Sequence, residues 1–345
     1  MLEEGRKRSL IVPIFIPFHG CPHRCIYCQQ EKITDQAALP LEPSSIKETL
    51  DRALKSPKFQ TARDPEIAFY GGTFTSLPHD RIIQLLGVVR PYIREGLFRS
   101  IRVSTRPDAL DIKKLELLRG FHVTTVELGT QSMDDRVLEL TRRGHKAVDT
   151  IHSVHMLKEN GFKVGIQLMP GLPGDTRESF MRTVDTVTGL SPDMVRIYPT
   201  VVIKGTELAE WYRQKRFQPL SLKEAISVCK ESCVRLEDHG IPVIRMGLMS
   251  SPSLLEEGQI IAGPWHRSFG FLVRSEIHQE KIGPYLPDKG KTKKIRLRVP
   301  CREIPLVTGY KNRGLRSIED KTGAKVMGVT PDDSVHKGQI KIERV

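Results

Sequence analysis

The sequence predicts an α/β fold, a partial (β/α)6 barrel followed by a small α+β appendage. Three observations carry that expectation. The first 245 residues alternate short apolar runs with longer amphipathic ones, the pattern of repeated βα units. Polar or glycine-rich strings follow the apolar runs, at the strand ends where barrels of this kind place their chemistry. Beyond residue 288 the composition turns basic: residues 289–345 hold 15 Lys plus Arg against 6 Asp plus Glu, a surplus of +9 out of +13 for the 345-residue chain. The expected boundaries are 1–245 for the barrel, 246–290 for a barrel-closing segment and linker, and 291–345 for the basic appendage.

Strands are expected at Ile11–Ile16, Glu66–Tyr70, Ile101–Ser104, Thr125–Gly129, Lys163–Met169 and Met194–Tyr198, each a short run rich in β-branched residues. Helices are expected between them, at Ser45–Leu54, Asp80–Arg94, Ile112–Leu118, Val148–Asn160 and Arg177–Thr188. Asp80 after Pro78-His79 reads as a helix start, and Gly161 after Asn160 as a stop. A further helix, Leu222–His239, leads to the apolar run Ile241-Pro242-Val243-Ile244. Gly258 to Pro284, with Gly263-Pro264-Trp265-His266, is expected to close the open side of the arc, and Asp288-Lys289-Gly290-Lys291 reads as a linker.

Hydrophobic content of 39% and charged content of 28% are ordinary for a soluble globular chain. No apolar run approaches the roughly 18 residues of a membrane span, so no membrane partner is expected. Met1 to Ser9 is short and charged, without the apolar stretch of a secretion signal. Six cysteines, three of them in one short loop, fit a reducing cytoplasmic setting. Cys229 and Cys233, four apart on a helix, and the solitary Cys301 read as packing residues.

The most informative stretch is Cys21-Pro22-His23-Arg24-Cys25-Ile26-Tyr27-Cys28, three thiols spaced C-x3-C-x2-C just after the first strand. Pro22 argues against one unbroken helix, so the segment reads as a loop wrapped around a small inorganic object. A zinc site normally takes four protein ligands; His19 and His23 are the nearby supplements, and no second Cys or His pair lies at finger-like spacing. A disulfide framework suits secreted chains, and unrelated buried cysteines rarely cluster so tightly. An iron–sulfur cluster on three thiolates, leaving one iron open for a small molecule, fits best.

With Tyr27 as the aromatic before the third thiol, this loop resembles the signature of radical S-adenosylmethionine (SAM) enzymes. The resemblance implies a [4Fe-4S] cluster on Cys21, Cys25 and Cys28, with SAM chelated at the open iron. It also implies an electron donor such as ferredoxin or flavodoxin. Tyr70-Gly71-Gly72-Thr73 after the second strand is similar to the glycine motif that meets the methionine amino group. Further strings follow in order: Ser104-Thr105-Arg106-Pro107-Asp108, Gly129-Thr130-Gln131-Ser132, Arg143-Gly144-His145, Gln167 with Pro170-Gly171-Leu172-Pro173, and Ile197-Tyr198-Pro199-Thr200. Together they resemble the radical SAM domain of the Elongator catalytic subunit, a family that modifies wobble uridines of transfer RNA. Oxygen-independent coproporphyrinogen dehydrogenases are a more distant likeness. By position, Ser104, Gln131, Arg143 and Gln167 are implied as contacts to the adenosine and carboxylate of SAM. Arg143 suits a carboxylate, and the two glutamines suit ribose or adenine. Ser104 stands where the relatives usually carry Glu. The three-residue gap between the first two cysteines is much shorter than in the Elongator subunit, and no acetyltransferase domain is expected. No side chain is assigned to the substrate's reacting atom.

In the basic tail, Lys294–Val299 reads as a strand, Cys301–Val307 and Arg313–Lys321 as helices, and Lys325–Val329 and Gln339–Glu343 as strands. The loop Gly309-Tyr310-Lys311-Asn312 resembles the GxxG loop of a KH module, with Asn312 in place of the second glycine. Transfer RNA or another RNA is the partner this implies. Two other readings stand beside an RNA-modifying radical SAM enzyme. One is radical chemistry on a small molecule or protein; the other is a non-catalytic iron–sulfur protein that binds RNA.

Overall fold

A computed structural model describes residues 8–38 and 41–345; Met1–Lys7, most of the charged N-terminus, lies outside them. The chain divides into two compact units, Met1–Ser221 with Arg235–Trp265, and Leu222–Val234 with His266–Val345. Twelve strands follow in chain order: β1 Arg8–Phe15, β2 Ala62–Tyr70, β3 Ser100–Thr105, β4 Val123–Gln131, β5 Lys163–Leu168, β6 Met194–Ile197, β7 Val202–Ile203, β8 Val243–Met246, β9 Ile260–Ala262, β10 Lys294–Val299, β11 Lys325–Pro331 and β12 Lys341–Arg344.

The first unit is built on a parallel seven-stranded sheet in the order β1-β2-β3-β4-β5-β6-β8. All six expected strands are present. The seventh, β8, lies in the apolar run after the helix Leu222–Asp238 and pairs with β6 at Val195↔Val243 and Arg196↔Arg245. It has no strong strand signature, being four residues long, preceded by Pro242 and buried at Val243 while Ile244 and Arg245 are exposed. Within the same unit β9, from the segment expected to close the barrel, pairs antiparallel with β7.

The helices between strands form for local reasons and bury one face. His79–Arg94 starts after Pro78 with Asp80 in its first turn, and buries Ile82, Leu85, Leu86 and Val89 at helical spacing. Arg177–Leu190 opens on Thr176, whose hydroxyl accepts from the Ser179 N–H at 3.1 Å, and stops at Ser191 in the left-handed region. The sheet's apolar face is closed by strand residues such as Ile67, Phe69, Ile101, Val103, Val126, Leu128, Val164, Ile166, Val195 and Ile197. These alternate with polar residues on the other face, the face that carries the site.

In the second unit β10 is central, parallel to β11 and antiparallel to β12. Between β10 and β11 lie a turn at Cys301–Glu303, the helix Ile304–Thr308, the loop Gly309–Asn312 and the helix Arg313–Thr322, close to the expected element order. Ile295, Leu297, Val299, Val307, Ile318 and Ile340 form its core. Cys229 and Cys233, on the part of the Leu222–Asp238 helix assigned here, are buried as expected, whereas Cys301 is exposed. No helix among the described residues is long and apolar enough to cross a membrane.

Candidate active site

The C-terminal ends of the parallel strands surround a cavity of about 260 Å³. Its lining brings together every residue singled out from the sequence: Cys21, Cys25 and Cys28; Tyr27; Gly71, Gly72 and Thr73; Ser104; Gln131; Arg143; and Gln167.

The cysteine loop is held by backbone bonds from four directions. Cys21 N–H donates to Phe18 O at 3.0 Å, Thr73 N–H to His19 O at 2.8 Å, Ile26 N–H to Thr141 O at 3.3 Å, and Leu208 N–H to Ile26 O at 2.8 Å. Ile26 and Tyr27 are rooted in an apolar cluster with Val137, Leu172, Val202 and Leu208, so the loop between the thiols is anchored at its base. Pro22, His23 and Arg24 remain exposed.

The glycine pair has a reason inside the chain. Gly71 and Gly72 have φ of +78° and +56°, and a Cβ on Gly72 would stand 2.2 Å from His19 O and 2.6 Å from Ile16 O. Only glycine allows the turn after β2 to lie against the cysteine loop.

Gln131 ends β4 with φ +69°, a left-handed conformation uncommon for a side-chain-bearing residue. The strand register shifts between Leu128 and Gln131, and this irregularity turns the Gln131 side chain toward Gln167, whose Nε2 donates to Gln131 Oε1 at 3.0 Å. Arg143 is buried. Its Nη1 donates to Cys25 Sγ at 3.2 Å, its Nη2 donates to Gly129 O, and its Nε has no partner. Ser104 lines the cavity beside Glu127, its register partner on β4.

The thiols and their neighbours suit a cationic inorganic guest. Burial, and then the neighbouring Cys25, push the Cys28 thiol up to about 12. Burial also raises Cys21, against the opposing bond from the Thr73 hydroxyl. Thiolates at such positions need a metal to compensate them. Among the described residues no three His, Cys, Asp or Glu side chains converge as a site for a single ion. A cluster takes one thiolate at each of three separate irons and does not require that convergence. The unpartnered Nε of Arg143 leaves a buried cationic donor beside the same loop.

Sequence reading missed the floor of the cavity. Arg102 binds Glu66 through Nε at 2.9 Å and Glu127 through Nη1 at 2.7 Å. Arg196 binds Glu127 at 2.8 Å and donates through Nη2 to the Tyr70 hydroxyl at 2.6 Å and through Nη1 to the Tyr198 hydroxyl at 3.2 Å. Tyr70 donates to Glu127 at 3.0 Å. Two carboxylates and two guanidiniums balance in charge. The signal was available: Arg102, Glu127, Gln167 and Arg196 each stand between two apolar residues of a strand, on the face where a filled barrel would carry Val, Ile or Leu.

Two other groups also escaped sequence reading. Arg106 grips Asp108 with both arms, at 2.9 and 2.7 Å, and reaches His23 Nε2 at 3.2 Å, so the string after β3 braces the cysteine loop. Asp175 closes the Pro170–Gly174 loop, accepting from Gly171 N–H at 3.0 Å and from the Ser179 hydroxyl at 2.5 Å. Burial pushes its carboxyl up from the ordinary 3.8 to about 6. The folded chain therefore holds this proton more tightly than the unfolded chain, and the associated stability is lost as pH rises from about 4 to about 6. We expect denaturant midpoints to show a loss on the order of 3 kcal/mol over that window, and Asp175→Asn to flatten it. An unchanged slope in the variant would exclude Asp175 as its source.

Comparison with known proteins defines the class. The radical SAM superfamily model matches residues 15–187, and the radical SAM C-terminal domain model matches residues 192–279. The chain belongs to the radical SAM superfamily, a family of enzymes that hold a [4Fe-4S] cluster and SAM. Among its relatives, an uncharacterized protein of Methanocaldococcus jannaschii is 30% identical over 66% of this chain and 71% of its own length. The tRNA uridine(34) acetyltransferase of Dehalococcoides mccartyi is 30% identical over 64% of this chain and 55% of its own. That of Methanocaldococcus infernus is 41% identical over 36% of this chain and 24% of its own. The chain thus spans between a quarter and about half of the length of these acetyltransferases. The solved structure of the archaeal Methanocaldococcus infernus Elp3 shares the fold, with TM-score 0.61 and 24% identity over 79% of this chain and 63% of that one.

Proposed function

We propose that this radical SAM enzyme modifies transfer RNA, with its cluster on Cys21, Cys25 and Cys28. The observation that supports the site assignment is the convergence of the cysteine loop, the Gly71-Gly72 turn, Gln131, Arg143 and Gln167 on one cavity. When bound, cluster and SAM supply a 5'-deoxyadenosyl radical that takes a hydrogen atom from the substrate. The chain's own groups orient and enclose. The Gly71-Gly72 turn receives the methionine amino group, and the Arg143 Nε–H is free for its carboxylate. Tyr27, Thr73 and Ser104 flank that end, while Gln131 and Gln167 keep amide hydrogens for the adenosine. Phe15, Phe18, Met169, Val201 and Ile203 keep water from one side, and the Tyr70–Arg196–Tyr198 floor faces the substrate. A ferredoxin or flavodoxin reaches the cluster across the exposed Pro22–Arg24 edge.

The transfer-RNA reading rests on the acetyltransferase relatives and on the basic second unit. There Lys311 and Asn312 adopt left-handed conformations in the loop that opens the helix Arg313–Thr322, and Tyr310 packs edge-on against His266 at 4.9 Å. The KH-like reading gives this loop the RNA backbone. The deciding experiment supplies transcribed transfer RNA to anaerobic, dithionite-reduced enzyme. It follows 5'-deoxyadenosine by chromatography and the RNA nucleosides by mass spectrometry. SAM cleavage with no change in any nucleoside would refute transfer RNA as substrate. For the loop, Lys311→Ala should lower affinity for all RNAs alike and flatten the salt dependence by about one unit, the loss of one phosphate contact. Equal slopes would remove the loop from the RNA interface.

A further inference from the structure

One side chain ties three parts of the site together. Gln30 follows Cys28 by two residues and opens the helix Gln30–Thr34. Its Oε1 accepts from Phe18 N–H at 2.6 Å and from Gly72 N–H at 2.7 Å. Phe18 has φ +59° and begins the bend into the cysteine loop; Gly72 belongs to the glycine turn. Two converging N–H donors fix which end of the amide is oxygen, so the NH2 faces the other way. On that side the Gln30 side chain hydrogen-bonds Cys28, and the bond favours the thiolate. One neutral amide thus joins the strand exit, the glycine turn and one of the three thiols. Few other residues could do this: a carboxylate accepts both N–H bonds but has nothing to donate, and a hydrocarbon of the same size does neither.

We propose that Gln30 is a positioning residue with two separable roles: its oxygen fixes the glycine turn against the cysteine loop, and its nitrogen sets the electronic environment of Cys28. The inference rests on the reading of Cys28 as a cluster ligand. The first role concerns where the SAM amino group lands. The second concerns reduction, because an N–H bond to a cluster sulfur stabilises the reduced, more negative state.

Two variants separate the roles. Gln30→Leu removes both bonds from the turn, and SAM affinity, measured by anaerobic equilibrium dialysis on the reconstituted protein, should fall about tenfold while the iron content stays at the parent level. Gln30→Glu keeps the two accepted bonds, loses the donated one and places a negative charge beside Cys28. Its SAM affinity should stay within a few-fold of the parent, while the midpoint potential from a redox titration followed by electron paramagnetic resonance should fall. A residue that merely supported the fold would move stability and leave the potential in place. SAM affinity within twofold of the parent in Gln30→Leu, or a potential at or above the parent's in Gln30→Glu, overturns the proposal. A parent protein that binds no iron overturns the cluster assignment and this inference with it, whereas failure of the transfer-RNA reading leaves both measurements intact.

Discussion

Replacing any one of Cys21, Cys25 or Cys28 by Ala is expected to take anaerobically reconstituted protein from about four irons per chain to nearly none, and to abolish 5'-deoxyadenosine formation. Loss should be all-or-none, because two thiolates cannot hold three corners of a cube. Burial raises Cys21 and Cys28, so the vacated loop has no reason to keep its remaining thiols ionised. The three backbone ties at Cys21, Ile26 and Leu208 do not involve the sulfur atoms. The variants should therefore fold, and circular dichroism should match the parent. Iron analysis and absorbance near 400 nm, on the order of the usual cluster band, check the result. Zinc in place of iron in the parent protein would refute the assignment outright.

Arg102→Met is expected to give the largest loss of stability among single substitutions away from the cluster loop. Arg102 is 7% exposed and is bound by Glu66 on one side and Glu127 on the other. Taking it away leaves two buried carboxylates facing each other, with Arg196 as the remaining cation. Removing one partner from such a network costs about 3–5 kcal/mol. Denaturant titration of the variant should show that loss. Adding Glu66→Gln, which restores the balance of charge, should recover part of it. Single and double variants of equal stability would show that the network is not coupled as the bonds imply.

The sequence made most of the fold legible because strand and helix signals alternate cleanly and the turn residues agree with them. Asp80, Thr176 and Gly161 mark helix boundaries, and Val/Ile runs mark strands. What escaped was β8, whose four residues follow a proline and bury one side chain. Tertiary pairing with β6 makes it a strand, and no local propensity does. The cofactor cavity was legible for another reason: thiols and paired glycines are rare residues with few structural uses. The charged floor was less visible, because Arg and Glu in a sequence read as surface until their partners three strands away are known. Gln30 was invisible in the same way; its partners Phe18 and Gly72 lie 12 and 42 residues distant in the chain.

The open arc also has a colloidal consequence. A closed barrel has no free edges, whereas this sheet ends at β1 on one side and β8 on the other. An exposed strand edge offers N–H and C=O groups to any passing chain and is a usual starting point for fibrous association. Both ends here are poor templates. Pro13, inside β1, withholds an N–H from that ladder, and β8 is four residues long with Arg245 exposed. The fold leaves its sheet unclosed without making it adhesive.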